Sequence, residues 1–325
     1  MTNQSVKPIL DPVVQKFLDD LAKKGGTPIY RLSVEDARKA LFDLQEAWYV
    51  EPLPANIDEM DFPGGPNGKI AVRIVRPKGV TQKLPVIIYM HGGGWVLGDK
   101  EIFARLISEL ANGAQAAVVF VNYQRAPEKT YPSAHEEGYA VAKWVAENGE
   151  KLNLDITRMA IAGDSVGGLM ATAIAMMAKE RGGPQFVFQL LFYPVTDAGM
   201  NTPSYEQFAT GYFLERAGMK WFWDAYVPDT SMRLNPLVAP LNATLDQLKN
   251  LPPAFVMVNE CDVLRDEGEA YAQNLMAAGV PVVLERYSGL IHDSVMLNGI
   301  TQAPEVRVAI DQAVHMLKHA FEAKK

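Results

Sequence analysis

Ser165 is the residue from which chemistry is most directly read. It stands in AIAGDSVGGLMATAIAMMAKE (160–180), where an apolar strand-like run passes straight into an apolar helix, flanked by Gly163 and Gly167 in the pattern Gly-x-Ser-x-Gly. Small neighbours let a sharp strand-to-helix turn close and lift the hydroxyl clear of the backbone, as a serine nucleophile requires. A Gly-Ser turn without chemistry has the same local pattern, so the assignment depends on partners: a base, an orienting acid and donors for a developing oxyanion. His91-Gly92-Gly93-Gly94-Trp95 follows the apolar run LPVIIYM (84–90), and successive glycines let backbone N–H groups face one point without a Cβ in the way. Val166, directly after the serine, supplies a further N–H. A phosphate loop is the competing use of such a glycine run, but neither Gly-Lys-Ser/Thr nor Gly-x-Gly-x-x-Gly is formed.

An acid and a histidine come later, each close behind an apolar run. Asp262 follows PAFVMVNE (253–260), and His292 follows VPVVLERY (280–287), so the chain order is Ser165, Asp262, His292. Of the five histidines, His91 belongs to the glycine loop, His135 opens a helix, and His315 and His319 lie on the last helix; only His292 follows the last strand. Asp266 and Glu267 rival Asp262, but they fall in the first turn of the next helix, where acidic residues favour the dipole. His315 and His319 have a zinc-like i, i+4 spacing. HMLKH nevertheless lacks both the glutamate of His-Glu-x-x-His and a third ligand, so no metal is expected.

The elements that must position these groups are legible as alternating patterns. Asp11, Pro12 and the stripe Val13, Val14, Phe17, Leu18, Leu21 predict a helix stopped by Gly25-Gly26. Ser33 and Asp36 resemble a capping box for a second helix carrying Ala37, Ala40, Leu41 and Leu44. IDEMDFP (57–63) and KIAVRIVRP (69–77), separated by PNG, predict a hairpin. Further strands are expected at 84–90, 116–123, 158–164, 186–193, 253–260 and 280–287, which makes eight with the hairpin. Continuous Val/Ile/Leu runs suit strands covered on both faces, and helices at 100–112, 132–149, 166–181, 266–278 and 304–322 supply the crossovers. The fold class is therefore α/β with a mainly parallel sheet. Residues 196–250 break the alternation and read as an insertion. Within it, YEQFATGYFLERAGMKWFWDAY holds eight of the chain's thirty aromatics, a density that suits either a small local core or the wall of an apolar pocket.

Composition sets the outer limits. The 325 residues, 48% hydrophobic, are enough for one large core with an embellishment. No apolar run reaches the roughly 18 residues of a membrane span, and the polar, proline-interrupted start MTNQSVKPILDPVV is unlike a signal peptide. A cytoplasmic protein without stable membrane insertion is expected. Cys261 is the single cysteine, which excludes an intramolecular disulfide, and the net charge of -7 without a basic cluster argues against nucleic acid as a partner.

Together HGGGW (91–95), YQRAPE (123–128), GDSVGG (163–168), DVLRDEG (262–268) and the late His292 resemble, in order, the signatures of the hormone-sensitive-lipase-like carboxylesterases, a branch of the α/β-hydrolases. The resemblance spans nearly the whole chain. It implies the α/β-hydrolase fold, with Ser165 as nucleophile, Asp262 as acid, His292 as base and Gly93, Gly94 and Val166 as oxyanion donors. It also implies a helical cap, matching residues 1–50 and 196–232, over a catalytic core of 51–195 and 233–325. The implied activity is ester hydrolysis without a cofactor; a pocket enclosed by a cap, with no long apolar lid segment, favours small esters with short-to-medium acyl chains. An amide, carbamate or formamide hydrolase on the same triad is the alternative. Plant gibberellin receptors, which resemble this family but have lost the histidine, suggest a non-catalytic ligand binder as another; His292 speaks against it. The chain departs from the family pattern at Val166 (usually Ala), Val263 (usually Pro), YQRAPE (usually YRLAPE) and Asp293-Ser294 (commonly Gly-Phe), changes that bear on substrate range more than mechanism. Pairing of the last strand at a sheet edge would give a homodimer.

Overall fold

The computed structural model describes residues 8–323; the first seven residues of the polar opening, which is unlike a signal peptide, lie outside the described residues. Eight strands form one sheet: β1 (Ala55–Pro63), β2 (Lys69–Pro77), β3 (Leu84–Met90), β4 (Ala117–Val121), β5 (Leu154–Asp164), β6 (Phe188–Phe192), β7 (Ala254–Cys261) and β8 (Val282–Ile291). Their order is β1-β2-β4-β3-β5-β6-β7-β8. The β1–β2 hairpin and the β2–β4 pair are antiparallel, and every later pairing is parallel. Ten α-helices accompany it among the described residues: α1 (Pro12–Lys24), α2 (Val34–Ala47), α3 (Ala104–Ala114), α4 (Ser133–Asn148), α5 (Val166–Glu180), α6 (Pro203–Gln207), α7 (Arg216–Tyr226), α8 (Leu245–Leu248), α9 (Arg265–Ala277) and α10 (Pro304–Glu322).

Burial follows position in the sheet. All residues of β3, β4 and β6 are buried, as strands covered on both faces must be. The edge strand β1 is mostly exposed, and Glu59 and Asp61 pair there with Arg73 and Lys69, charges that discourage edge-to-edge association. Helix α5 is buried from Val166 to Ala178, which explains why its sequence is apolar on all sides rather than on one stripe.

Most expected elements lie within a few residues of their predicted places, and the differences have local causes. Strand β8 runs on to Ile291, past Tyr287, with a register shift opposite Asn259 and Cys261 that delivers the following turn to the end of β7. Strand β5 starts at Leu154, four residues early, where its pairing with β3 shifts register at Pro85 and Val86. The helix expected from 100 begins at Ala104, because the Asp99 carboxylate accepts from the N–H groups of Glu101 and Ile102 and holds a turn there. Only half of the Ser33 capping box forms: Ser33 Oγ accepts from Asp36 N at 3.1 Å, but the Asp36 carboxylate meets the Ser33 hydroxyl at 2.7 Å instead of the backbone N–H.

The N-terminal helices are fastened to loops at the strand ends. Asp11 caps α1 through Val13 N and Val14 N, and its own N–H donates to Gly289 O at 3.1 Å. From α2, Arg38 donates to Val96 O at 2.9 Å and Ala126 O at 3.0 Å, while Gln45 donates to Met296 O at 3.0 Å and accepts from Asn298 N at 3.0 Å. Residues 196–250 contain no strand, as expected, and carry α6, α7 and α8. Their aromatics are largely interior: Trp223 and Tyr226 pack on Trp95 with ring centroids 4.9 and 4.6 Å apart, and Tyr226 Oη bonds His135 Nδ1 at 2.9 Å.

Candidate active site

Strand β5 ends at Asp164, and Ser165 turns the chain into α5 with φ 54 and ψ -123, a left-handed conformation that a side-chain-bearing residue adopts only under constraint. The constraint is visible in the backbone bonds. Ser165 N donates to Phe192 O at 2.9 Å, and Ser165 O accepts from Gly168 N at 3.0 Å and Val195 N at 3.1 Å. The flanking glycines are steric requirements, since a Cβ on Gly163 would overlap the backbone of Gly167, and one on Gly167 would overlap the carbonyl of Met90.

The three residues singled out in the sequence meet. His292 Nε2 lies 2.9 Å from Ser165 Oγ, and His292 Nδ1 lies 2.7 Å from Asp262 Oδ2. Asp262 is fixed by Leu264 N, which donates to Oδ1 at 3.0 Å. All three are nearly sealed, with exposures of 4% for Ser165, 1% for Asp262 and 3% for His292. The rival acids act elsewhere. Asp266 accepts from Ser204 N at 2.8 Å and Glu267 from Thr196 N at 2.7 Å, so both anchor the segment that follows β6.

The glycine loop lies beside the serine. Gly93 and Gly94 have φ 93 and 62, and Gly93 O accepts from Leu97 N at 2.8 Å in a tight turn. Among the described residues, the N–H groups of Gly93, Gly94 and Val166 donate to no protein acceptor. A Cβ on Gly94 would overlap the ring of Phe222, so α7 rests directly on this loop. His91 is structural: buried, stacked on Tyr123 at 4.1 Å and bonded through Nδ1 to Gly92 O at 2.8 Å, it is pushed down to about 3 by burial and is neutral.

Three further polar groups stand around the site, among them Asp293, which the sequence ties only to substrate range. Asp164 is fully buried; its Oδ1 accepts from Tyr89 Oη at 2.7 Å and Gly92 N at 3.0 Å, which ties the serine's strand to the glycine loop. Burial and the nearby Asp293 push its carboxyl up to about 7. Asn259 donates to Ile291 O at 2.7 Å and accepts from Ser294 Oγ at 3.1 Å, joining the end of β7 to the turn that bears His292. Asp293 places Oδ1 3.4 Å from His292 Nε2. Only the motif neighbours hinted at them: Asp164 is the acid of GDSVGG, and Asp293 is a departure from the family pattern. For His292 itself, burial opposes the charge, but Asp262, Asp293 and Asp164 outweigh it and raise the imidazolium to about 9.

A strained serine hydrogen-bonded to a histidine that is in turn bonded to an acid, at the carboxyl ends of a mostly parallel sheet and beside a glycine loop, defines a hydrolase-type catalytic site on an α/β-hydrolase fold. Residues 87–296 match the family model described as alpha/beta hydrolase fold. The carboxylesterase NlhH of Mycobacterium tuberculosis is 38% identical over 99% of this chain and 100% of its own. An ethyl acetate hydrolase of Pseudomonas putida is 33% identical over 88% of this chain and 91% of its own. The crystal structure of a thermostable esterase from Pseudomonas putida superposes with a TM-score of 0.96 at 45% identity, covering 98% of this chain and 100% of the other. The chain belongs to the hormone-sensitive-lipase-like carboxylesterase family of the α/β-hydrolases. No described helix is long and apolar enough to cross a membrane.

Proposed function

We propose that this carboxylesterase hydrolyses small esters with short-to-medium acyl chains through an acyl-enzyme formed on Ser165. The observation that carries the proposal is the continuous chain of hydrogen bonds from Ser165 Oγ through His292 to Asp262, at 2.9 and 2.7 Å. His292 Nε2 takes the hydroxyl proton as Oγ bonds to the ester carbonyl carbon, and the carbonyl π electrons become an oxyanion. Gly93, Gly94 and Val166 donate to that oxyanion, each donor typically contributing about 2.7–4 kcal/mol in the transition state. The carbon–oxygen bond to the alcohol then breaks, and Nε2 returns its proton to the leaving oxygen. Water repeats the cycle on the acyl-enzyme, with Asp262 holding the imidazole throughout.

The helices within 1–50 and 196–232 serve as a cap over the core of 51–195 and 233–325. Phe222 against Gly94 supports a restricted acyl side, and the similarity to an ethyl acetate hydrolase supports small esters. A cytoplasmic location is part of the same proposal, in keeping with a single buried cysteine that leaves no intramolecular disulfide to form. So is a homodimer through the terminal strand β8, which light scattering checks by mass. The test of function is hydrolysis of p-nitrophenyl esters from acetate to palmitate by the native chain and Ser165→Ala. An optimum at short chains, lost in the variant, is expected; equal rates in both would overturn the assignment.

A further inference from the structure

His292 is flanked by carboxylates on both ring nitrogens. Asp262 takes Nδ1 at 2.7 Å, while Asp293 Oδ1 lies 3.4 Å from Nε2, the nitrogen that also faces Ser165 Oγ at 2.9 Å. The Asp293 side chain is 12% exposed, and its Oδ1 is buried with no hydrogen-bond partner of its own. A buried carboxylate oxygen without a donor is costly, so its place here calls for a compensating role.

The backbone is built to hold it there. Asp293 has φ 62, a left-handed conformation that glycine adopts freely and that aspartate adopts more readily than most residues with a side chain. The turn is pinned by Met296 N and Leu297 N, each donating to Asp293 O at 2.9 Å, and by the Ser294–Asn259 bond at 3.1 Å. Behind it the buried Arg105 donates to the carbonyls of Val295 and Met296 at 2.7 and 2.9 Å and leaves the Asp293 carboxylate free. The other titratable groups around His292 are Asp262 from the turn after β7, Asp164 at the end of β5, and Tyr193 after β6, whose ring meets the imidazole at 5.0 Å. Of the carboxylates, Asp293 is the one set against Nε2.

We propose that Asp293 is a positioning residue for ester hydrolysis, acting through His292: its carboxylate holds the imidazolium formed when Nε2 takes the serine proton and turns that N–H from Oγ toward the departing alcohol oxygen. The inference rests on the proposed roles of Ser165 and His292. The proton ledger is unchanged, since Asp293 neither gains nor loses a proton; the Oγ–H bond breaks as Nε2–H forms, and Nε2–H breaks as the alcohol O–H forms. A negative charge beside Nε2 also favours the protonated ring before substrate arrives. Asp293 thereby trades activity at low pH for a better-held imidazolium during the reaction.

The experiment measures kcat and KM against pH for a p-nitrophenyl ester with the native chain, Asp293→Asn and Asp293→Gly. Asparagine keeps the shape and removes the charge; glycine suits the left-handed turn and keeps the test available if asparagine impairs folding. In each folded variant the acid limb of kcat/KM is expected to move about one unit toward lower pH. The kcat plateau is expected to fall about tenfold with KM little changed, the signature of an interaction made in the transition state. An acid limb that stays in place in Asp293→Gly overturns the proposal whatever happens to the rate, because a merely structural turn residue would lower activity without moving it. Turnover surviving in Ser165→Ala would instead bring down the underlying catalytic assignment, so the two failures are separable.

Discussion

The turns that end β5, β7 and β8 and the aromatic segment from Tyr205 to Tyr226 both bear on the same serine, but they do so by different means. At the strand ends, function is set by backbone turns: Ser165 at φ 54, glycines that tolerate no Cβ, and a histidine and an acid that are each the first residue past a strand. In the aromatic segment it is carried by side chains packed across the molecule, as Trp223 and Tyr226 pack on Trp95 and Phe222 on Gly94. A motif of five residues can specify the first kind. The second depends on residues more than a hundred positions apart. Catalysis and selectivity should therefore fail separately, and the sharpest break is at the strand ends. Asp262→Asn is expected to leave the fold intact and lower kcat on p-nitrophenyl acetate about 10⁴-fold, because the imidazole loses its orienting carboxylate. A loss under about tenfold would mean that another acid serves His292.

Gly94→Ala strikes where the two regions touch. The residue holds φ 62, and the new methyl would overlap the Phe222 ring, so both the donor N–H and α7 must shift. Misplacing this proposed oxyanion donor is expected to lower kcat about 10²–10³-fold, read in stopped-flow acylation. Phe222→Leu probes the other side of the contact, leaving the backbone donor in place and opening space above it. The ratio of kcat/KM for octanoate over acetate should rise about three- to tenfold, with kcat on acetate nearly unchanged. An unchanged ratio would place the acyl chain away from α7.

The pH dependence tests whether the carboxylate-rich surroundings of His292 matter to the reaction. The imidazole must be neutral to accept the serine proton, and its raised value near 9 places the protonated form in the majority at neutral pH. kcat/KM should accordingly climb with pH, roughly tenfold per unit below the turning point, and level off toward pH 9. A plateau beginning near the ordinary histidine value of about 6.5 would show that the carboxylates around His292, Asp262 first among them, do not outweigh the burial of its ring in the free enzyme.

What was legible in the sequence follows the same division. The meeting of Ser165, His292 and Asp262 is legible because turn chemistry is local: glycine spacing, chain order and the ends of apolar runs point to all three. The sheet was equally open to pattern reading, since β3, β4 and β6 are buried on both faces and spell continuous Val/Ile/Leu runs. Asp164, Asn259 and the placement of Asp293 were hidden, as each depends on a partner from another strand or on a left-handed turn that no residue type announces. The sequence shows His135 only as the opening of a helix, yet both its nitrogens are used, on Tyr226 Oη at 2.9 Å and Leu237 O at 3.0 Å. The extension of β8 to Ile291 was hidden for a related reason: it depends on a register shift against β7, which only pairing reveals.

The smallest effect on rate is expected where support is two steps from the chemistry. Gln45 of α2 is buried, donates to Ile102 O and Met296 O at 3.2 and 3.0 Å, and accepts from Asn298 N at 3.0 Å, in the loop that follows His292. Arg105 independently holds the Met296 carbonyl at 2.9 Å, and the Ser294–Asn259 bond holds the start of the turn. Gln45→Ala strands several buried groups at once, so a loss of about 1–3 kcal/mol in unfolding free energy is expected from chemical denaturation. The histidine turn keeps its other ties, and kcat should change less than about threefold on that account. A large fall in kcat with stability preserved would make the N-terminal helices part of the catalytic framework, against the proposal that they form a cap.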